Sequence, residues 1–343
     1  MNTSFIDKGC VGLANLGNTC FLNSCIQVLN HIYELSPIMI NKIKKGQTNN
    51  CDDTILLEEW NELHLLMWKE NGIISPNKFI YNVQQIARRK NKDIFTGWAQ
   101  NDLSEFLLFL IDCFHNSLSR KVGFQINGTS QNKTDEIAIT TFKFLKTIYE
   151  NEYSEIMDLF YGVYLTTIMS ADKSTTHSIK PEHFFTLDLQ IFEGNQQCQT
   201  LYDCFDLFVK PEEMIDDNAW FNEKTGKKED IKKTMTFWSL PKILVIILKR
   251  FSPDGSRKIQ TNIEFPLKNL NLSKYIQGYK PESYKYDLFG VCNHMGGVNG
   301  GHYTSYVKNM ENQWIHFNDT NVEKIKGSEI ISPKAYCLFY RKK

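Results

Sequence analysis

The chain has no pair of cysteines spaced as Cys-x-x-Cys; its nine cysteines stand at positions 10, 20, 25, 51, 113, 198, 204, 292 and 337. An odd, scattered set argues against a disulfide framework, and the missing short spacing argues against a tetrathiolate zinc site. Charge of one sign is also lacking, because Lys and Arg together number 39 and so do Asp and Glu. Net charge therefore offers no general attraction to nucleic acid or to a membrane surface, and any electrostatic recognition has to be local. The longest apolar runs, Phe106 to Ile111 and Ile243 to Leu248, are far too short to cross a bilayer. The opening residues, Met1 to Gly9, hold no apolar segment of the secretory kind. These absences lead us to expect a soluble protein of a reducing compartment, cytoplasmic or nuclear, with neither nucleic acid nor membrane as a partner.

What is present is enough for a large core: 343 residues, 42% hydrophobic and 13% aromatic, suffice for one large domain or two ordinary ones. Apolar residues recur at three and four spacing through Phe21, Cys25, Val28, Leu29 and Ile32, and again through Ile55, Leu56, Trp60, Leu63, Leu66 and Met67, which predicts helices. Ser75-Pro76 predicts another helix start, with serine as N-cap and proline at the first position. Further helices are expected over 102–114 and 136–149, separated by a polar loop from Gly123 to Asp135. Beyond Phe160 the pattern changes to short β-branched and aromatic runs, 163–168, 184–191, 244–251 and 288–292, bounded by turn residues. A charged stretch from Asp216 to Lys233 is expected to be an exposed hairpin or loop. The fold class this predicts is α+β, with a helical first part and a sheet-rich second part.

Two segments carry chemistry. Near the start stands Gly12-Leu-Ala-Asn15-Leu-Gly17-Asn18-Thr19-Cys20-Phe-Leu-Asn23-Ser24, in which Cys20 follows a glycine-bearing turn and opens an amphipathic segment. A thiolate at a helix N-terminus gains from the unpaired backbone N–H groups there, so this placement predicts a lowered thiol pKa. Near the end stand Gly300-Gly301-His302-Tyr303 and Trp314-Ile-His-Phe317-Asn318-Asp319. His302 is expected on a strand whose small neighbours admit a close approach, paired with Cys20, while Asn318 or Asp319 orients the imidazole. The other cysteines read as packing residues. His31, His64, His115, His177, His183 and His316 read as locally satisfied histidines, and His294 is a weaker rival to His302.

In these segments Gly12 to Leu29 resembles the Cys box, and Gly300 to Asp319 the His box, of the ubiquitin-specific proteases. Gly97-Trp-Ala-Gln100-Asn101-Asp102-Leu-Ser-Glu105-Phe106-Leu resembles the family's middle motif, with Asn101 where glutamine is usual, and Leu240 to Phe251 resembles its central strand. Four motifs in this order cover nearly the whole chain.

The resemblance implies a papain-like fold within one catalytic domain over 1–343, with a helical thumb over about 1–155 and β fingers and palm over about 156–343. It implies that Cys20 is the nucleophile, His302 the base and later the acid, Asn318 the residue that orients His302, and Asp319 a supporting polar neighbour. Asn15 takes the place of the family's oxyanion-hole amide. Asp102 and Glu105 match an acidic pair that faces the basic Leu-Arg-Gly-Gly tail of ubiquitin, although the same spacing also suits a helix N-terminus. Gln100, Gly301 and Tyr303 are expected to touch that tail as well. The partner implied is ubiquitin on modified proteins, and no cofactor is expected. The family's fingers commonly hold zinc through two Cys-x-x-Cys pairs. Here those positions fall on Ser170, Lys173, Asn222 and Thr225, so no zinc is expected. Two alternatives keep the motifs: the same chemistry on another ubiquitin-like modifier, or a non-catalytic ubiquitin-binding pseudoenzyme. A generic papain-type peptidase would leave the middle motif and central strand without a reason.

Overall fold

The computed structural model describes residues 6–92, 94–97, 99–194, 196–223, 225–252, 254–297 and 300–343; Trp98 of the middle motif lies outside them. Helices fill the first half: α1 (Cys20–Asn30), α2 (Leu35–Lys44), α3 (Asp52–Met67), α4 (Asn77–Arg89), α5 (Leu103–Leu118), α6 (Lys133–Glu152) and α7 (Glu155–Phe160), with α8 (Leu201–Phe208) further on. Every residue of α1 is buried. A helix enclosed on all sides must satisfy its polar side chains internally. Accordingly, Ser24 Oγ donates to the Thr304 carbonyl at 2.8 Å and Gln27 Nε2 to the Val11 carbonyl at 2.7 Å. These bonds stitch α1 to the elements around it.

The helix expected to start at Ser75-Pro76 begins two residues later than the expected cap: Pro76 occupies the capping position, and no side chain caps α4. Its packing face, Phe79, Ile80, Val83 and Ile86, is buried as the spacing predicts. Residues 121–131 form an exposed connection without helix or strand, and Asn132 caps α6 by accepting from the Asp135 N–H.

Strands β1 (Val11–Leu13) and β2 (Gly72–Ile74) pair in parallel beside the helices. The arm is a four-stranded sheet of β3 (Gly162–Ser170), β4 (Thr176–Phe184), β8 (Glu212–Met214) and β11 (Ile231–Ser239), in the order β4-β3-β11-β8. A hairpin of β9 (Trp220–Asn222) and β10 (Lys227–Glu229) supplies the charged excursion the sequence predicts. The central sheet runs β17-β16-β15-β14-β18-β12-β5, with β13 added to β14. Its strands are β5 (Thr186–Gln190), β12 (Ile243–Lys249), β13 (Leu270–Asn271), β14 (Lys285–Gly297), β15 (Gly300–Lys308), β16 (Trp314–Asn318), β17 (Asn321–Ile325) and β18 (Ala335–Lys342). A short pair, β6 (Phe192–Glu193) and β7 (Gln196–Gln197), stands apart. The run expected as one strand over 184–191 is broken at Phe185, where the chain leaves the arm for the central sheet.

Strand β12 shows why the chain folds this way. Its apolar run has no polar alternation because both faces are covered. Val245 and Ile247 join the core shared with the helices, while Leu244, Ile246 and Leu248 join a second core with Cys204 and Phe205 of α8. The first core draws on α1, α3, α4 and α5 together with β12, β14, β15, β16 and β18. The helical and sheet halves are therefore not separate bodies but two sides of one interior. The architecture is α+β, as expected.

Candidate active site

The turn before α1 is built to present Cys20. Gly17 and Asn18 have φ of 102° and 54°, a reversal that glycine and asparagine tolerate. The Asn15 carbonyl Oδ1 accepts from the Gly17 and Thr19 N–H groups, each at 3.1 Å. Thr19 precedes the helix without capping it through its side chain. Cys20 then opens α1, only 4% exposed.

Helix α1 lies along β15, and the Tyr303 N–H faces the Cys20 sulfur. Cys20 is thus beside the peptide that joins His302 to Tyr303. His302 is half-buried, and its Nε2 lies 2.6 Å from Asn318 Oδ1 on the adjacent strand β16. With the amide oxygen as acceptor, Nε2 carries the ring proton and Nδ1 keeps its lone pair. This is the only hydrogen bond of the His302 ring among the described residues.

Asp319 follows at the tip of the β16–β17 hairpin with φ of 50°. Its carboxylate accepts from Asn15 Nδ2 at 3.0 Å and from Asn23 Nδ2 at 2.8 Å, and its carbonyl accepts from the Leu13 N–H at 2.9 Å. The hairpin tip is thereby tied to the segment that leads into Cys20. Gly12 permits this approach, because a Cβ there would stand 2.6 Å from the Thr320 carbonyl oxygen.

The lowered thiol pKa expected from the helix N-terminus is not what the site produces. Burial pushes the Cys20 thiol up, and the Asp319 carboxylate adds to the rise, while the Tyr303 N–H works in the opposite direction. The spacing that reveals a helix start says nothing of the depth at which it is buried.

Of the sequence-predicted binding residues, Gln100, Asp102, Gly301 and Tyr303 line a groove of about 420 Å³, together with Phe251 and His294, while Glu105 is not part of its described lining. Gln100 Oε1 accepts from the Gly301 N–H at 2.7 Å. Asp102 and Glu105 do not present their carboxylates side by side on a helix. Asp102 is the N-cap of α5, accepting from the Ser104 and Glu105 N–H groups, and Glu105 is exposed in the first turn. His294 packs its ring 4.6 Å from that of Tyr303, and burial holds it down to about 4, so the rival histidine is a neutral wall of the groove. His31, His64 and His115 each find a local hydrogen-bond partner.

Two contributors had no recognised sequence signal. Asn23 holds Asp319 from within α1, where Ser24, Gln27 and Asn30 are polar as well, so nothing local singles it out. Tyr336 donates to Asp102 across 234 residues of chain, a pairing no local pattern can announce. At the arm, three of the four positions where the resemblance would place zinc ligands make side-chain hydrogen bonds, and the Lys173 N–H donates to the Ser170 carbonyl. Ser170 Oγ donates to Asp172 and receives the Thr175 N–H, while Asn222 and Thr225 donate to Glu229.

Comparison with known proteins places this geometry. The family model described as ubiquitin carboxyl-terminal hydrolase matches residues 11–340. Ubiquitin carboxyl-terminal hydrolase 2 of Homo sapiens is 33% identical over 345 residues, covering 97% of this chain and 55% of the relative. Ubiquitin carboxyl-terminal hydrolase 3 of Homo sapiens is 31% identical, covering 96% of this chain and 67% of the relative. The chain spans about half the length of several of these curated relatives. Among solved structures, that of the SAGA Ubp8/Sgf11/Sus1/Sgf73 DUB module bound to ubiquitin aldehyde superposes with a TM-score of 0.74 at 25% identity, over 98% of this chain and 70% of the other. The same module bound to monoubiquitin gives 0.73 at 26% identity, with the same coverage.

Proposed function

The chain belongs to the ubiquitin carboxyl-terminal hydrolase family, and from that premise we propose that it is a deubiquitinating thiol protease acting after the C-terminal glycine of ubiquitin. The observation that carries the reading is the meeting of Cys20, the His302–Tyr303 peptide and Asn318, with the groove bordered by Gly301 and Tyr303 on either side of His302 in the chain. Its similarity to a ubiquitin-bound module supports the choice of substrate.

In this reading the ubiquitin tail lies in the groove with its terminal glycine carbonyl over Cys20. His302 Nδ1 takes the thiol proton as Sγ attacks, so charge separation develops with substrate in place and not in the resting chain. The oxyanion accepts from the Asn15 amide N–H that Asp319 leaves free. A donor so placed is worth about 3 kcal/mol. The Asp319 carboxylate, held by Asn15 and Asn23, fixes that amide's orientation. The imidazolium then gives its proton to the leaving amine, and the C–N bond breaks to leave a thioester on Cys20. Water enters, His302 removes its proton, and hydrolysis releases ubiquitin and restores the thiol. Asn318 keeps Nε2 protonated throughout, so Nδ1 remains the nitrogen that exchanges protons.

We read 1–343 as one catalytic domain, helical thumb over about 1–155 and fingers and palm beyond, working in the cytoplasm or nucleus without zinc. The test is reaction with full-length ubiquitin bearing a C-terminal electrophile, scored by intact mass. A one-to-one adduct that disappears in Cys20→Ala is expected. Binding without an adduct would leave a pseudoenzyme in its place.

A further inference from the structure

The carboxylate of Asp102 is fully committed inside the molecule. At one end, Oδ1 accepts from the Ser104 N–H at 2.7 Å, the Glu105 N–H at 3.4 Å and the Ser104 hydroxyl. At the other, Oδ2 accepts from the Tyr336 hydroxyl at 2.8 Å and the Tyr303 hydroxyl at 3.3 Å. A carboxylate offers about four lone-pair positions, and here five donors converge on it. An arginine of a bound peptide would have to displace one of them. Glu105, by contrast, is exposed, and its carboxylate has no protein partner among the described residues.

The two ends of Asp102 join different halves of the molecule. Oδ1 starts α5, while Oδ2 holds Tyr303 on β15 and Tyr336 on β18. Tyr303 is the residue whose backbone N–H faces Cys20 and which directly follows His302. On the other side of His302, the Gly301 N–H is tied to Gln100. Both chain neighbours of His302 are therefore fastened to the segment that leads into α5. Burial and the Asp102 charge push both phenols up, which keeps them protonated donors.

We propose, on the basis of the deubiquitinating reading above, that Asp102 is a positioning residue of the catalytic centre. Asp102 sets the distance between β15 and the start of α5, and so the seat of the Tyr303 N–H on the Cys20 sulfur. The requirement is for a carboxylate: asparagine accepts at one end only, so it can cap α5 or receive the tyrosines but not both.

Tyr336→Phe provides the test, since it removes one oxygen and keeps the ring. Two readouts are taken. One is the pH profile of Cys20 alkylation by chloroacetamide, followed at the Cys20 peptide by mass spectrometry, which needs no ubiquitin. The other is kcat and KM on a fluorogenic ubiquitin C-terminal amide. We expect Tyr336→Phe to move the alkylation profile to higher pH and to lower kcat about tenfold with KM nearly unchanged. Asp102→Asn is expected to do the same more strongly. An unmoved alkylation profile in Tyr336→Phe overturns the proposal, as does an Asp102→Asn variant whose only defect is a raised KM. If Asp102→Asn does not fold, Tyr336→Phe decides alone. Should the wild-type protein form no adduct with a ubiquitin electrophile, the functional reading fails, while the alkylation profile still decides the positioning role.

Discussion

Gly12 shows how much of the site depends on an atom that is absent. Its ideal Cβ would lie 2.6 to 2.9 Å from the backbone of Thr320, at the hairpin tip that follows Asn318 and Asp319. Backbone cannot rotate away as a side chain does, so Gly12→Ala must push the hairpin off β1 and disturb the hydrogen bond from the Leu13 N–H to the Asp319 carbonyl. We expect a loss of about 1–3 kcal/mol in stability, as for other overpacked sites, and a fall in kcat larger than any change in KM. Urea unfolding and steady-state kinetics check this, and an unchanged kcat would show that the hairpin tip does not need β1. The residue types at the centre were legible in the sequence because Cys, His and Asn sit in distinctive polar settings. Their environment was not. That the helix start at Cys20 is buried beside Asp319, and that Asp102 turns inward to two tyrosines, follows from chain segments that meet only after folding.

Among the elements, the long periodic helices and the apolar run of β12 were readable, since each pattern has one structural solution. The short helices α2, α7 and α8 were not anticipated, and α8 owes its start to a reciprocal cap between Thr200 and Asp203 more than to length. The arm's turns belong at this scale too. Ser170, Asp172 and Ser174 close the β3–β4 turn through side-chain and backbone hydrogen bonds, with the Ser174 N–H donating to Asp172 at 3.0 Å. At the β9–β10 turn, Glu229 accepts from Asn222 at 2.9 Å and from Thr225 at 2.6 Å. These bonds occupy the places where a metal would have been clamped. Prolonged dialysis against a chelator is expected to leave both Tm and activity unaltered, with less than stoichiometric zinc by elemental analysis before treatment. A Tm that drops on chelation and returns with zinc would refute a metal-free arm.

For the whole molecule, acid should be felt first through buried imidazoles. Burial holds His31 and His64 down to about 4, against an ordinary value of about 6.5. Below that ordinary value the unfolded chain binds protons that the folded chain refuses, so stability is complete above it and declines as pH falls toward 4. Each group can remove up to about 3 kcal/mol over that window. Carboxylates such as Glu155, held down to about 2 by Arg120 and Lys42 in spite of its burial, act at lower pH. We expect the urea midpoint to fall between pH 7 and pH 5; equal midpoints would mean that these histidines are not neutral in the fold.

The exposed connection over 121–131 lies between α5 and α6, after the segments that carry Cys20 and before those that carry His302. Severing it would put Asn15, Cys20 and Asp102 on one polypeptide and His302, Asn318 and Asp319 on the other. Neither piece could cover its share of the common interior alone. Catalysis would then report reunion of the two, which makes this fold a natural candidate for a split-enzyme complementation reporter, silent as fragments and active only when they are brought back together.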